Sequence, residues 1–123
     1  MNWIADGLTR IRNAIILKKP SVTVRGTKVF LQILQVMQDQ KFIESFEKNE
    51  TNLKQSYIVY LKYFGNKSVI RGLKLKSNHI KADEINVYLK KFSCPIITTN
   101  EGILSGKHAI ERNLGGKMLC EVF

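Results

Sequence analysis

The sequence predicts an α+β fold built as two small lobes, and three observations indicate it. Apolar residues recur at helical spacing near the N-terminus, alternating runs typical of strands occur in both halves, and Gly65–Asn66 marks a turn between the halves. Residues 1–65 form the N-terminal lobe, ordered helix–strand–helix–strand–strand. Residues 66–123 form the C-terminal lobe, which is mainly β with one short helix. Helices and strands that do not alternate regularly indicate an α+β rather than an α/β architecture.

Two helices are predicted in the N-terminal lobe. The first spans residues 2–16, where apolar side chains recur every three or four positions, and Pro20 prevents its extension. The second begins after Gly26, with the Thr27 hydroxyl as its N-cap. Its inner face is expected to consist of four apolar residues: Val29, Ile33, Val36 and Met37.

Three strands are predicted in the same lobe. Val22–Val24 is short, residues 41–46 are expected at a sheet edge, and residues 56–64 form the strongest strand because β-branched and aromatic residues dominate it. Residues 47–52 are polar and are predicted to form the hairpin loop before this strand.

The C-terminal lobe is predicted to begin with two strands, at residues 69–75 and 85–89, joined by a loop at 77–83. Pro95 then leads into a short apolar strand, which ends in a polar turn at residues 98–102.

A helix and a closing strand are predicted after this turn. A second apolar pair, Ile103–Leu104, precedes a helix over residues 107–113. Gly115–Gly116 is expected to end the helix and to bend the chain into a last strand at residues 118–123.

The chain is strongly basic, with 20 Lys and Arg against 10 Asp and Glu and a net charge of +10. This charge favours a polyanionic partner: RNA, DNA or an anionic membrane surface. Ten of the basic residues fall on each side of Gly65, so the charge belongs to both lobes. No apolar run reaches 18 residues and no signal or transit peptide is recognisable, so we expect neither a membrane span nor a leader.

Catalytic and metal-binding patterns are weak in this sequence. Cys94 and Cys120 lie in apolar, strand-like segments, which suits reduced, buried thiols, and with His79 and His108 they lack the paired spacings of zinc sites. Ser105 or Cys120 can be drawn beside His108 as a dyad, but any chain of this size offers such pairs. We therefore expect no enzyme activity, no metal, no cofactor and no small-molecule substrate.

The polar turn at residues 98–102 is the best candidate for function. Hydroxyl, amide and backbone N–H groups can donate to RNA phosphates, sugars or unstacked bases. The same residue types also form ordinary hairpin turns, so composition alone leaves both interpretations open. The turn consists of Thr98, Thr99, Asn100, Glu101 and Gly102.

Other polar residues suit contacts with phosphates, although each also fits a solvated surface. The candidates are Lys107 and Arg112 on the predicted short helix, Arg10 and Asn13 on one face of the first helix, and Lys90 and Lys91 in the most basic segment.

Two separated motifs resemble the small-subunit ribosomal protein eight family of bacteria and organelles. The first is IADGLTRIRNA at residues 4–14, which is similar to the opening helix of that family. The second spans residues 95–123, read as PIITTNEGILSGKHAIERNLGGKMLCEVF. It has the family's order of apolar pair, polar turn with glycine, second apolar pair, short helix, Gly-Gly and closing strand. The two motifs cover both ends of the chain.

The resemblance implies a structural constituent of the small ribosomal subunit with two lobes, the second mainly β. Such a protein binds the central domain of the small-subunit rRNA early in assembly, beside neighbouring small-subunit proteins. Direct RNA contacts are expected from Thr98, Thr99 and Asn100 together with Gly102, while Lys107 and Arg112 would be positioning charges. The alternative is a free-standing RNA-binding translational regulator of the same fold.

The chain departs from the family pattern at several positions. Thr98 and Asn100 stand where the family has serines, and Ser77–Lys81 lacks the usual Pro-Gly. Glu101 replaces a basic residue and is expected to weaken RNA binding, unless it points away or pairs with Lys107. Such drift fits a ribosome in an organelle, a plastid in preference to a mitochondrion, with the bacterial cytoplasm as the alternative.

Overall fold

The computed structural model describes residues 2–50 and 55–123, in two compact units, Met1–Arg71 and Gly72–Phe123. Helices and antiparallel sheets occur in both units, so the predicted α+β class is confirmed. Gly65 and Asn66, where the sequence analysis divided the lobes, form the turn of a small hairpin inside the first unit. No helix of the described residues is long and apolar enough to cross a membrane.

The first unit combines two helices with a three-stranded antiparallel sheet and the small hairpin. Its elements within the described residues are α1 Trp3–Ile16, β1 Ser21–Arg25, α2 Lys28–Asp39, β2 Ile43–Lys48, β3 Ser56–Leu61, β4 Tyr63–Phe64 and β5 Lys67–Ser68. Strand β3 is central, and β2 lies at an edge, as was predicted for residues 41–46. The predicted loop at residues 47–52 is partly wrong, because its first two residues belong to β2. Residues 51 and 52 of that loop lie outside the described residues.

Both helices of this unit begin at side-chain caps. The Asn2 Oδ1 accepts hydrogen bonds from the backbone N–H groups of Ile4 and Ala5, each at 3.1 Å. The Thr27 Oγ1 accepts one from the N–H of Phe30 at 3.2 Å, so the predicted cap of α2 is confirmed. These bonds satisfy N–H groups that have no partner within the helix.

The inner face of α2 differs from the prediction at one position. Ile33, Val36 and Met37 are buried as expected, but Val29 is 41% exposed and Phe30 is fully buried instead. A Cβ added at Gly7 of α1 would lie 2.4 Å from the Phe30 ring, so this ring packs directly on the helix backbone. Because neighbouring helical residues point about 100° apart, Val29 is turned away from the core.

The second unit has a five-stranded antiparallel sheet with two short helices. Its elements are β6 Leu73–Leu75, β7 His79–Ile80, a 3-10 turn Ala82–Glu84, α3 Ile85–Lys90, β8 Cys94–Thr99, β9 Gly102–Ser105, α4 Gly106–Glu111 and β10 Gly116–Val122. Strand β10 lies between β6 and β8 and also pairs with β7, and β9 lies at the edge beside β8. Strands β8 and β9 pair as a hairpin, and its turn is the polar turn predicted from the sequence.

The strand predicted at residues 85–89 is wrong, because this segment is helix α3. The backbone N–H of Lys81 donates to the Glu84 Oε1 at 3.1 Å, which fixes the turn that starts the helix. Ile85 is then fully buried, and Tyr88 and Leu89 pack against the same apolar cluster. Helical spacing of these three side chains outweighs the strand preference of the segment.

Of the strand predicted at residues 69–75, only Leu73–Leu75 forms a strand, β6. The Ser68 Oγ accepts a hydrogen bond from the Ile70 N–H at 3.1 Å, a local bond typical of turns, and the chain is not extended into a ladder before Leu73. The loop predicted at residues 77–83 contains the short strand β7 and part of the 3-10 turn.

The core of the second unit lies between the sheet and its two helices. Ile97 of β8 and Met118 of β10 pair across the ladder and are both fully buried, where they pack with Ile85 and Ala109. A bulge after Met118 shifts the register, so that Cys120 pairs with Ile96 on the opposite face of the sheet.

Both cysteines are free in the structure. Cys120 is buried and Cys94 is partly buried. Burial raises the pKa of Cys94 to about 11 and that of Cys120 to about 12, so both thiols are protonated at neutral pH.

The Gly115–Gly116 pair does not end the preceding helix, contrary to the prediction. Helix α4 ends at Glu111, and Asn113 takes the left-handed backbone conformation, with φ of 54°, that turns the chain away. Gly116 instead opens β10, where an added Cβ would lie 2.0 Å from the carbonyl oxygen of Thr98. The absence of a side chain at Gly116 therefore permits β8 and β10 to pair beside the hairpin.

We expect Gly116→Ala to lower the free energy of unfolding by about 2–3 kcal/mol, because a backbone carbonyl must move to admit the methyl group. Urea unfolding followed by circular dichroism measures this change. The matched control is Lys117→Ala, at the exposed next position of the same strand, with an expected change within about 0.5 kcal/mol. Equal midpoints for Gly116→Ala and the unsubstituted protein would contradict the close backbone contact.

Candidate nucleic-acid interface

A two-residue turn, Asn100–Glu101, connects β8 to β9 and forms the tip of the hairpin. Thr99 pairs with Gly102 at its base, and Asn100, Glu101 and Gly102 are exposed. Gly102 has φ of 110°, a conformation that side chains oppose, so glycine permits this tight connection. The predicted polar turn is thus held rigidly at the end of two paired strands.

The Thr99 hydroxyl is used inside the turn. It donates a hydrogen bond to the carbonyl oxygen of Gly102 at 2.8 Å and accepts one from the N–H of Glu101 at 3.1 Å. Since a hydroxyl has a single proton to donate, Thr99 retains only acceptor capacity for another molecule. Its main contribution is to the shape of the hairpin.

The Thr98 side chain lies on the opposite face of the sheet from Thr99, because successive strand residues alternate. It is half-buried, and within the described part of the chain its hydroxyl has no hydrogen-bond partner. Lys117 of β10 lies directly opposite Thr98 in the ladder and is exposed. The Thr98 hydroxyl, unpartnered in this part of the chain, therefore lies beside Lys117, which was not among the residues predicted from the sequence.

Glu101 forms an ion pair with Arg112, with 3.1 Å between Oε1 and Nη1. Pairing with Lys107 was one of the two alternatives considered from the sequence, and the partner in the structure is Arg112 instead. Both side chains are about half exposed, so the pair contributes little to stability, about 0–1 kcal/mol. The pair mainly changes the local charge. The guanidinium of Arg112 compensates the negative charge of Glu101, and Arg112 therefore offers less positive charge to another molecule.

Helix α4 follows the hairpin and leaves Lys107 exposed. The Ser105 Oγ accepts a hydrogen bond from the backbone N–H of His108 at 3.3 Å, and Ser105 is only 1% exposed. This bond caps the helix, and the structure gives no hydrogen bond between the Ser105 hydroxyl and the His108 ring in the described residues. Ser105 is therefore used for structure in this fold.

The remaining candidates belong to other elements than the hairpin. Lys90 and Lys91 are exposed at the C-terminal end of α3, near the start of β8, whereas the hairpin lies at the end of β8. Arg10 and Asn13 belong to the first unit and are both exposed on α1. The Arg10 Nε is 3.0 Å from the Asp6 Oδ2, one helical turn earlier, so its charge is partly compensated.

The fold and the exposed groups define a class: a basic α+β protein whose second unit presents a rigid hairpin of small polar side chains. The particular family follows from comparison with known proteins. A family model described as "Ribosomal protein S8" matches residues 2–123, and this chain belongs to the ribosomal protein S8 family, a family of structural, non-enzymatic proteins. The resemblance seen in the two terminal motifs is thereby confirmed.

Curated relatives carry the name "Small ribosomal subunit protein uS8". One from Vesicomyosocius okutanii is 36% identical over 98% of this chain and 95% of its own length. One from Syntrophomonas wolfei is 33% identical and one from Mesoplasma florum 37%, each over 98% of this chain and 96% of its own length. These relatives are bacterial, so they give no support to the expected location in an organelle.

The two threonines of the hairpin can be separated by experiment. Thr99→Val removes both hydrogen bonds of the turn and is expected to lower the free energy of unfolding by about 1 kcal/mol. Thr98→Val removes a hydroxyl without a partner in the described residues and is expected to change it by less than about 0.5 kcal/mol. Thermal unfolding, with amide hydrogen exchange at Glu101, measures both. Equal losses in the two variants would contradict the assignment of Thr99 to the turn.

Proposed function

We propose that this protein is a structural constituent of the small ribosomal subunit that binds the central domain of small-subunit rRNA and supports subunit assembly. Membership of the ribosomal protein S8 family supports this role. The observation that carries the proposal is the hairpin with the neighbouring strand β10. There the Thr98 hydroxyl has no hydrogen-bond partner within residues 2–50 and 55–123, and Asn100 and Lys117 are exposed. Such groups suit RNA sugars, phosphates and unstacked base edges.

Affinity and specificity would come from different parts of the surface. Lysine ammonium groups attract phosphates wherever they are exposed, and this attraction falls steeply as salt rises. The hairpin supplies the selective part, because Thr98 and Asn100 hold donors and acceptors in fixed positions. Since the strands are already formed, little conformational entropy is lost when RNA docks.

The Glu101–Arg112 pair changes the roles inferred from sequence. Arg112 orients Glu101 beside the turn instead of offering a free charge to phosphate, and Lys107 and Lys117 remain as the exposed cations of this region. The partners are accordingly rRNA and neighbouring small-subunit proteins in a bacterial-type ribosome, as the bacterial relatives suggest. Co-sedimentation with small subunits in sucrose gradients distinguishes this role from that of a free-standing translational regulator.

Binding to a fragment of the central domain of the small-subunit rRNA tests the proposal. Thr98→Ala is expected to weaken binding about fivefold, the effect of one lost hydrogen bond, and to leave the salt dependence unchanged.

Lys90→Ala combined with Lys91→Ala is expected to weaken binding to any RNA and to reduce the slope of log K against log salt by about 1–2. Thr23→Ala, at an exposed threonine of the first unit, is the control. Identical affinities for the fragment and for unrelated RNA would refute specific recognition.

Glu101→Gln tests the charge balance of the hairpin. We expect the variant to bind the same rRNA fragment about threefold more tightly and with a steeper salt dependence, because Arg112 is released towards phosphate. Glu111→Gln removes the same charge from an exposed position of α4 and is the matched control. An equal gain in both variants would show that net charge, rather than the Glu101–Arg112 pair, sets the affinity.

A further inference from the structure

A small cavity of about 220 Å³ lies in the first unit, where the start of α1 meets the end of β1 and the start of β3. Its lining includes two arginines, Arg10 and Arg25, together with Trp3 and Ser56. The polar hairpin belongs to the second unit and contributes nothing to this lining. Pockets for drug-sized ligands measure about 300–1,000 Å³, so this cavity suits a more compact group.

Arg25 is held in one orientation by an aromatic ring. Its Cζ lies 4.2 Å from the centroid of the Trp3 ring, so the guanidinium lies over the indole. This arrangement occupies the flat face of the guanidinium and leaves the N–H groups on its edge available. Arg25 is exposed and forms no ion pair with another residue in the described part of the chain. The ring therefore supports a free, forked donor of the kind that binds oxyanions through two hydrogen bonds.

Ser56 gives a second and independent indication of a ligand. It is only 7% exposed, and its buried Oγ has no hydrogen-bond partner among the described residues. Ser56 pairs with Arg25 in the ladder of β3 and β1, so the two side chains lie on the same face of the sheet. A buried hydroxyl without a partner costs free energy, and an acceptor oxygen brought in by a ligand would remove that cost.

The charges around the cavity favour an anion. Asp6 is the acid that the described lining contains, and its Oδ2 lies 3.0 Å from the Nε of Arg10, one helical turn away. The negative charge of Asp6 is thus compensated within α1, and Arg25 leaves the lining with one net positive charge. The groups that still lack a partner, the Arg25 fork and the Ser56 hydroxyl, are both able to donate to oxygen.

We propose that this cavity binds one phosphate of an RNA backbone. The Arg25 guanidinium donates to the two free oxygens of the phosphate, and the Ser56 hydroxyl donates to one of them. This inference rests on the proposed role in binding RNA and adds a contact in the first unit to that of the hairpin. Trp3, Arg25 and Ser56 lie outside both terminal motifs, residues 4–14 and 95–123, so the site is separate from the residues that carry the family resemblance.

Tryptophan fluorescence tests the cavity directly, because Trp3 is the single tryptophan of the sequence. The intact protein is titrated with dimethyl phosphate, which has the one charge and two free oxygens of an RNA phosphate, while chloride keeps the ionic strength constant. A saturable change with a Kd on the order of 10 mM is expected. A response no larger than that to chloride would overturn the proposal. Saturation by acetate but not by dimethyl phosphate would indicate a carboxylate of a protein partner and would overturn it equally.

Two variants assign the contacts. Arg25→Lys keeps the charge but loses the fork, and it is expected to weaken dimethyl phosphate binding about tenfold. Arg71→Lys, at an exposed arginine of the same unit outside the lining, is the matched control and is expected to bind as the unsubstituted protein does.

Ser56→Ala separates binding from folding. It is expected to weaken dimethyl phosphate binding about fivefold while Tm is unchanged or higher, because the hydroxyl that it removes has no partner to lose. A lower Tm with unchanged binding would show that the hydroxyl serves the fold and would refute its role as a donor.

The rRNA fragment shows whether the phosphate belongs to RNA. Arg25→Lys is expected to weaken binding of the fragment about fivefold at an unchanged salt dependence, and Arg25→Gln to reduce the slope of log K against log salt by about 1. Unchanged binding in both variants would refute the phosphate site alone. Failure of the unsubstituted protein to prefer the fragment to unrelated RNA would refute the proposed function, whereas the fluorescence titration contains no RNA and reports on the cavity separately.

Discussion

The pairing of β8 with β10 is the constraint on which the second unit depends. The two backbones approach so closely at Gly116 that no side chain fits against the carbonyl of Thr98. This contact fixes the register that places Lys117 beside Thr98 and aligns the base of the hairpin. Further along, the same pairing brings Glu121 to Ser93, 28 residues away in the chain. The hairpin and the buried Ser93–Glu121 contact therefore take their geometry from one pair of strands.

Two acidic residues show how burial decides the role of a charge in a basic protein. Glu101 is exposed, so its ion pair with Arg112 contributes little to stability and acts mainly by cancelling charge near the hairpin. Glu121 is buried, and its desolvation must be offset by Ser93 and Lys76. Each oxygen of Glu121 thus has a partner, with the Ser93 hydroxyl donating to Oε2 and the Lys76 ammonium lying 3.9 Å from Oε1.

Local signals explain which elements could be predicted from the sequence. Helix α1 and the Thr27 cap follow from spacing and residue type, and the structure confirms both. Helix α3 could not be predicted, because the residues Ile-Asn-Val-Tyr-Leu fit a strand as well as a helix. The Lys81–Glu84 hydrogen bond and the burial of Ile85 decide in favour of the helix, and the burial depends on contacts with distant parts of the chain. Val29 was misplaced for the same reason, since the fit of Phe30 against Gly7 sets the rotation of α2.

The residues of the candidate site were predicted from the sequence. Their separate roles could be assigned only from the register in which β8 pairs with β9 and β10. Thr98 and Thr99 are alike in sequence, yet strand alternation puts them on opposite faces, so one hydroxyl closes the turn while the other lacks a partner in the described residues. Lys117 was missed because its position opposite Thr98 depends on where β10 pairs with β8, which no local pattern reveals. In the proposed role, a hairpin arranged in this way separates folding from recognition, because the Thr99 hydroxyl that stabilises the turn is not the hydroxyl left to bind RNA. We therefore expect substitutions at Thr98 to alter the proposed RNA binding while the hairpin keeps its shape.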